Sequence, residues 1–328
     1  MRVLIRAASS VVSSKGASAR LLILFYHRVH PVVDPLRPSD VDAETFDWQM
    51  EVLARYFTPL ALDHAVELLR QGKLPANAVC VTFDDGYADN VEVALPVLQR
   101  RAVPATFFLT TGFFGHGCMW NDRVIESLRK VDTQKLSLSN LGLGKYEITS
   151  MGARLQMVNS VLRQLKYLPL EEREQQVQRL ENELNIDASY SPMMSEEQVS
   201  VLVKSGMSVG AHTVNHPILS KISVDEARQE IESGKQRLEM LTEKEVTLFA
   251  YPNGVPGKDY GAEHIGLVKA AGFDAAFSTN WAAAQYTDDF MQLPRIAPWD
   301  NTRLRFYLRL LGSYRVGNAE RVSMNVRQ

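Results

Sequence analysis

Residues 79–87 read Val79-Cys80-Val81-Thr82-Phe83-Asp84-Asp85-Gly86-Tyr87. A short apolar, β-branched run ends in two adjacent carboxylates and then a glycine. The run has the composition of a buried strand, and Gly86 marks the turn by which the backbone leaves it. Asp-Gly pairs also form solvated turns, which is the plain explanation of the acids. Two carboxylates in tandem at the mouth of a buried strand are costly, however, unless something cationic meets them.

The same pattern recurs on both sides of this stretch. Leu21–Tyr26 is a strand candidate that runs into His27-Arg28, and residues 30–40, rich in Pro and Asp, read as loop. Helical spacing follows over Ala43–Tyr56 and over Leu62–Gln71, the latter stopped by Gly72. Beyond the opening strand come a helix over Asn90–Arg101, with Pro96 awkwardly inside it, and a strand over Ala105–Thr110. Later, Ser195 to Gln198 has the spacing of a capping box and leads into Val199–Lys204. Strands are expected at Met207–Ala211, Val246–Tyr251, Ala275–Ser278 and Gln292–Ile296, with helices at Ser223–Leu241 and Glu263–Ala271.

About seven strands alternating with helices predict a parallel α/β architecture, either a barrel or a doubly wound sheet. His27, Asp84 with Asp85, His212, Asn253 and Arg295 each fall at or just after the C-terminal end of an expected strand. That repeated placement favours a barrel with its site on the face where the strands end. Residues 1–20 form an N-terminal extension, 21–300 the barrel, and 301–328 a C-terminal helix and tail. Residues 120–190 depart from the pattern: a helix over Asn121–Val131, weakly patterned polar sequence over 132–148, and Gln-, Glu- and Arg-rich helical sequence over Leu155–Leu184, broken near Pro169. This reads as a helical insertion with a solvated surface, not as part of a site.

A net charge of −2 with no basic block argues against nucleic acid as a partner. Two cysteines, Cys80 and Cys118, allow no disulfide framework, and Cys80 reads as a buried thiol. No apolar run approaches a membrane span, and the N-terminal residues lack a secretory pattern. A cytoplasmic location is expected. Arg2 and Arg6 among apolar residues leave two readings for the first fourteen residues: a terminus or helix packed on the domain, or a weak amphipathic anchor at the inner membrane face.

The second informative stretch is Gly210-Ala211-His212-Thr213-Val214-Asn215-His216-Pro217. Two imidazoles four residues apart can face one metal ion, although such pairs also arise without one. Together with one aspartate they make three protein ligands and leave positions open for water and substrate. The second aspartate is then placed to act as a base.

These residues resemble the polysaccharide deacetylase family (NodB-like, carbohydrate esterase family four). Thr82-Phe-Asp-Asp-Gly86 and His212-Thr-Val-Asn-His216 look like its first two motifs, in the same order and strand-end setting. The resemblance covers roughly residues 20–300 and implies a distorted (β/α)7 barrel with a helical insertion. It implies metal-dependent removal of acetyl groups from N-acetylated sugars, with Asp84 as general base and Asp85, His212 and His216 holding a divalent cation. Zinc suits that donor set, and cobalt, nickel or iron are alternatives.

Two departures from the family pattern stand out. Its third motif has an arginine two residues before a Pro-Tyr step, whereas this chain reads Phe249-Ala-Tyr-Pro-Asn-Gly254. Asn253 takes the tyrosine's place, where its backbone N–H can still serve an oxyanion, and Arg295 becomes the candidate to hold Asp84. The late histidine that usually acts as general acid is also missing, since no His follows Leu293. His27, in Phe25-Tyr-His-Arg-Val29, is the expected substitute, because the first strand of a barrel closes beside the last. This resembles the rearranged subgroup that includes poly-N-acetylglucosamine deacetylases. His64 and His264 are expected at the surface. His116 and Cys118 offer too few ligands for a metal. Trp120, Trp281 and Trp299 fit packing or sugar stacking.

The expected substrate is an N-acetylated amino sugar in a polysaccharide, an oligosaccharide or a lipid- or nucleotide-linked precursor. Alternatives are hydrolysis of a small amide or ureide, a carbohydrate-binding barrel without catalysis, and a two-His-one-carboxylate iron oxygenase.

Overall fold

The computed structural model describes residues 14–186, 190–316 and 321–322. The N-terminal helix expected before Ser14 and the end of the C-terminal tail lie outside them. Six strands form the main parallel run of the sheet: β1 (Arg20–Tyr26), β2 (Ala78–Phe83), β3 (Ala105–Leu109), β4 (Ser208–Ala211), β5 (Leu248–Ala250) and β6 (Ala275–Phe277), and a two-residue strand, Thr58–Pro59, also pairs in parallel with the start of β2. Their order is β6-β5-β4-β3-β2-β1, and β7 (Ala284–Gln285) pairs antiparallel with the start of β1. The segment 290–296 links the two edges, pairing Leu293 with Phe277 and Ile296 with Leu24. The curled, mainly parallel sheet with its helices is the expected (β/α)7 barrel. Residues 292–296 were expected as a full strand but make only isolated bridges, because Pro294 between the two pairs has no N–H to give to a ladder.

Helices cover the sheet: α1 (Ala43–Tyr56), α2 (Leu62–Arg70), α3 (Leu95–Arg101), α4 (Trp120–Arg129), α5 (Met151–Leu165), α6 (Leu170–Leu184), α7 (Glu196–Lys204), α8 (Val224–Thr242), α9 (Ala262–Ala270) and α10 (Arg303–Ser313). The helix expected over Asn90–Arg101 is split into a π-helical turn, Asn90–Ala94, and α3. The split places Pro96 in the first turn of α3, where its missing N–H leaves no bond unmade. His264, expected at the surface, is buried; its Nδ1 accepts from the Gly261 N–H at 2.9 Å and caps α9.

Side chains alternate along each strand, and this alternation builds the site. Leu22, Leu24, Val79, Val81, Phe83 and Phe107 belong to the apolar layer shared with α1, α3, α7 and α8. Leu21, Ile23, Cys80, Phe108, Leu248, Phe277 and Leu293 form a second cluster with α2, which covers the opposite end of the strands from the carboxylates. Continuing the second parity to the first residue past each strand reaches His27 after β1, Asp84 after β2 and His212 after β4. Inward-pointing residues thus change from apolar to ionisable at one end of the barrel.

The insertion has a core of its own. Val124, Leu128, Val158, Val161, Leu165, Val177 and Leu180 bring α4, α5 and α6 together. The unpatterned stretch before α5 forms a hairpin, Lys135–Ser137 with Lys145–Glu147, whose three-residue strands are too short and too exposed to show alternation.

Gly210 lets β4 pass the interior Phe108. A Cβ there would meet the Phe108 ring at 2.5 Å and the Leu248 carbonyl oxygen at 3.0 Å. Gly210→Ala is therefore expected to cost about 1–3 kcal/mol. The check is a lower urea midpoint with unchanged m-value; an unshifted midpoint would show that Phe108 has room to move.

Candidate active site

Asp84 and Asp85 leave β2 in different directions because Asp85 adopts a left-handed backbone, φ 77°. Asp84 is 2 % exposed and accepts two parallel bonds from Arg295, Nη1 to Oδ1 and Nη2 to Oδ2, each 2.7 Å. Arg295 is wholly buried, donates through Nε to the Ser278 carbonyl at 3.2 Å, and lies 4.9 Å from the Phe25 ring centroid. Burial by itself raises the Asp84 carboxyl, but the Arg295 guanidinium outweighs it and holds the group below the ordinary carboxylate value.

Asp85 faces the two histidines. Its Oδ1 is 3.5 Å from His212 Nε2 and 3.4 Å from His216 Nε2. His212 Nδ1 is 2.7 Å from the Ala250 carbonyl oxygen, so Nδ1 carries the proton and Nε2 is left with a lone pair toward Asp85. Burial pushes the His216 imidazole down to about 4, which keeps it neutral, the form that ligates metals. Thr213 and His216 have φ of 67° and 54°, and Asn253 has 60°. Such backbone costs of order 1 kcal/mol or more per residue and persists only where surroundings impose it.

Those surroundings are specific. Glu230, on α8, accepts from the N–H groups of Val214 at 2.9 Å and Asn215 at 2.8 Å, and from the Asn215 side chain at 2.7 Å. Thr213 Oγ1 accepts from the His216 N–H at 3.1 Å. Gly234 lets α8 approach closely, since a Cβ there would sit 3.0 Å from the Thr213 carbonyl carbon. The sequence offers no sign of Glu230's role, which is set by the docking of a helix that looks like any amphipathic surface helix.

An open cleft of about 570 Å³ lies over these residues, lined by His27, Asp85, Tyr87, His216 and Asn253 on the barrel side. Asp84 lies beneath, outside the lining. The exposed His27 also borders a second, smaller cleft that runs to Trp299. Trp281 and Trp299 pack against each other with ring centroids 4.5 Å apart at a 36° tilt, and His116 bonds through Nδ1 to the Phe114 carbonyl oxygen at 2.6 Å. The opposite wall of the main cleft is the insertion, through Trp120, Asn121, Asn159, Leu162, Arg163 and Lys166. The expectation that the insertion stands apart from the site is corrected: its apolar face is consumed by its own core, and its polar face turns toward the barrel. Buried charges fasten it there. Asp122 accepts from Arg37 at 2.8 Å and from the Tyr87 hydroxyl at 2.8 Å, and Arg28, the residue after His27, lies 3.8 Å from the same Asp122 carboxylate.

The profile of the polysaccharide deacetylase family matches residues 71–276. This chain belongs to that family. A similar protein is "Putative polysaccharide deacetylase YxkH" of Bacillus subtilis (strain 168), 21 % identical over 279 residues, covering 85 % of this chain and 71 % of that one. The fold is similar to Streptococcus pyogenes deacetylase PplD (TM-score 0.59, 20 % identity, 89 % of this chain and 98 % of that one). It is also similar to IcaB from Ammonifex degensii (TM-score 0.58, 18 % identity, 93 % and 99 %). In this deacetylase-family chain, His27 and Arg295 lie outside the span matched by the family profile. They reach the site because barrel closure brings the two ends of the domain together.

The donor set fits a divalent cation. Asp85 Oδ1 is buried and without a hydrogen-bond partner among the described residues, and the three candidate ligand atoms lie within 4.8 Å of one another. Bonds of about 2.0–2.1 Å at tetrahedral angles separate ligand atoms by roughly 3.3 Å, close to the spacing of Asp85 from each imidazole. Removing a residue that orients such ligands typically weakens metal binding about 10–100-fold. Glu230→Ala is expected to do this with the fold retained, measured by zinc titration of the metal-free protein alongside circular dichroism. Unchanged affinity would show that the His loop holds its shape without α8.

Proposed function

We propose that this chain is a metal-dependent hydrolase that removes N-acetyl groups from an amino sugar, in a polysaccharide, an oligosaccharide or a lipid- or nucleotide-linked precursor. The observation that carries the reading is the unpartnered Asp85 oxygen between His212 and His216, beside an ionised Asp84 clamped by Arg295. A divalent cation, zinc by preference, held by Asp85, His212 and His216, supplies Lewis acidity toward an acetamide carbonyl.

The remaining work falls to the protein. Asp84 takes a proton from the attacking water, and Arg295 keeps it charged for that purpose. The Asn253 N–H donates to the acetamide oxygen as negative charge collects there. His27, exposed at the rim of the cleft, returns a proton to the departing amine. The openness of the cleft and its long wall favour a sugar chain or a large sugar conjugate over a small amide, which is better held in an enclosed pocket.

The test is acetate release from N-acetylglucosamine oligomers, with metal content measured in parallel. Asp85→Ala is expected to lose the metal. Asp84→Asn and His27→Ala are expected to keep it and to lower kcat by about 10²–10⁴-fold. Stoichiometric metal without acetate from any acetylated sugar would overturn the reading, and loss of metal from His27→Ala would make His27 a ligand instead of an acid.

Arg295→Gln gives a separate readout. With the guanidinium gone, burial dominates and the Asp84 pKa rises. Since the ionised form is the active one, the acid limb of the kcat/KM profile should move to higher pH. An unmoved limb would assign it to another group.

A further inference from the structure

We propose that Arg163 and Lys166, on the cleft-facing side of α5, form an anion-binding subsite, so that the sugar acted on carries a phosphate or carboxylate group. The inference rests on the deacetylase reading above and names its substrate more closely. Asn159, Leu162, Arg163 and Lys166 all line the cleft. Their spacing of three and four residues places them on one face of the helix, opposite the barrel's histidines. The other face of α5, through Met157, Val158, Val161 and Leu165, is buried in the insertion core. Packing therefore fixes which side chains the helix shows to a ligand.

Both side chains line the cleft, whereas several other cations of the insertion are spent on partners of their own. Arg123 pairs with Glu174 and Glu181, and Arg129 with Asp34 and Glu126. Arg154 donates to the carbonyl groups of Leu128 and Val131. Arg163 is exposed and makes no ion pair or hydrogen bond with any described residue. Lys166 lies over the Tyr167 ring at 5.6 Å, and no carboxylate among the described residues pairs with it. The acids on the cleft wall do not pair with them: Asp40 bonds His30 at 3.1 Å, Asp122 bonds Arg37 and Tyr87, and Asp85 faces the two histidines.

Lys258, on the loop that follows Asn253, lies over the same Tyr167 ring at 4.3 Å, so a third cation reaches this end of α5. Arginine presents a planar fork that matches both phosphate and carboxylate, and lysine adds a mobile point charge.

The experiment compares three probes on the intact metal-loaded chain: a neutral N-acetylglucosamine oligomer, UDP-N-acetylglucosamine, and an oligomer alternating N-acetylglucosamine with glucuronate. Binding by calorimetry and kcat/KM for acetate release are both measured. One of the two anionic probes is expected to exceed the neutral oligomer by about tenfold at low salt. Which one does so identifies the anion. Added salt should erode the advantage, and Arg163→Gln with Lys166→Gln should reduce the anionic-to-neutral ratio by a similar factor. Equal binding of neutral and anionic probes, or a ratio untouched by the double substitution, would overturn the subsite. Acetate release without charge preference leaves the deacetylase reading standing alone. Charge-selective binding without acetate from any probe leaves the subsite and removes the reading it was built on.

Discussion

The bidentate pair between Arg295 and Asp84 is the interaction on which the rest of the site depends. Both side chains are out of water, and an ion pair in that position stabilises only if nearly every charge-bearing atom is satisfied. Here two guanidinium nitrogens meet the carboxylate, the third meets the Ser278 carbonyl, and two aromatic rings flank the cation. Arg295 belongs to the segment that links β6 to β1. The same residue therefore completes the curl of the sheet and neutralises the acid at the end of β2. Loss of the pair disturbs closure and site together.

The neighbouring acid illustrates how little sequence separation says about separation in role. Asp84 and Asp85 share a peptide bond, yet one points to a cation inside the barrel and the other to two imidazoles beneath a solvent-filled cleft. The left-handed backbone at Asp85 makes that divergence. Left-handed residues recur at Thr213, His216 and Asn253, so backbone strain is present where ligand direction has to be fixed. Glu230 and the glycine of α8 hold the loop against relaxing.

Much of this was readable from sequence, and for a definite reason. His27, Asp84 and His212 each directly follow a strand of period two, so an apolar alternation that ends in a charge marks both the element and the end of the barrel. Arg295 could be named from its place at the C-terminal end of the last expected strand even though the family's usual arginine position holds Ala250. The insertion was not readable in the same way. Its Gln-, Glu- and Arg-rich helices have the composition of a solvated surface, and only the pairing of Asp122 with Arg37 and Tyr87 turns one face toward the barrel. The hairpin before α5 is too short to show a period. His264 was misjudged because a single histidine near a helix start looks the same whether it caps the helix or meets water.

The separate core of the insertion has a thermodynamic consequence. Apart from Leu36, which joins the insertion core, and the small cluster of Tyr87, Met119 and Met193, barrel and insertion bury their own apolar side chains, and along the cleft they meet largely through polar and charged contacts. The seam between them is then a candidate for opening without global unfolding, since little apolar area is lost when polar contacts exchange with water. Whatever occupies the cleft touches both bodies at once. By mass action, such an occupant must favour the closed seam to the same extent that the closed seam favours the occupant. Affinity in this molecule is thus also a measure of adhesion between its two cores.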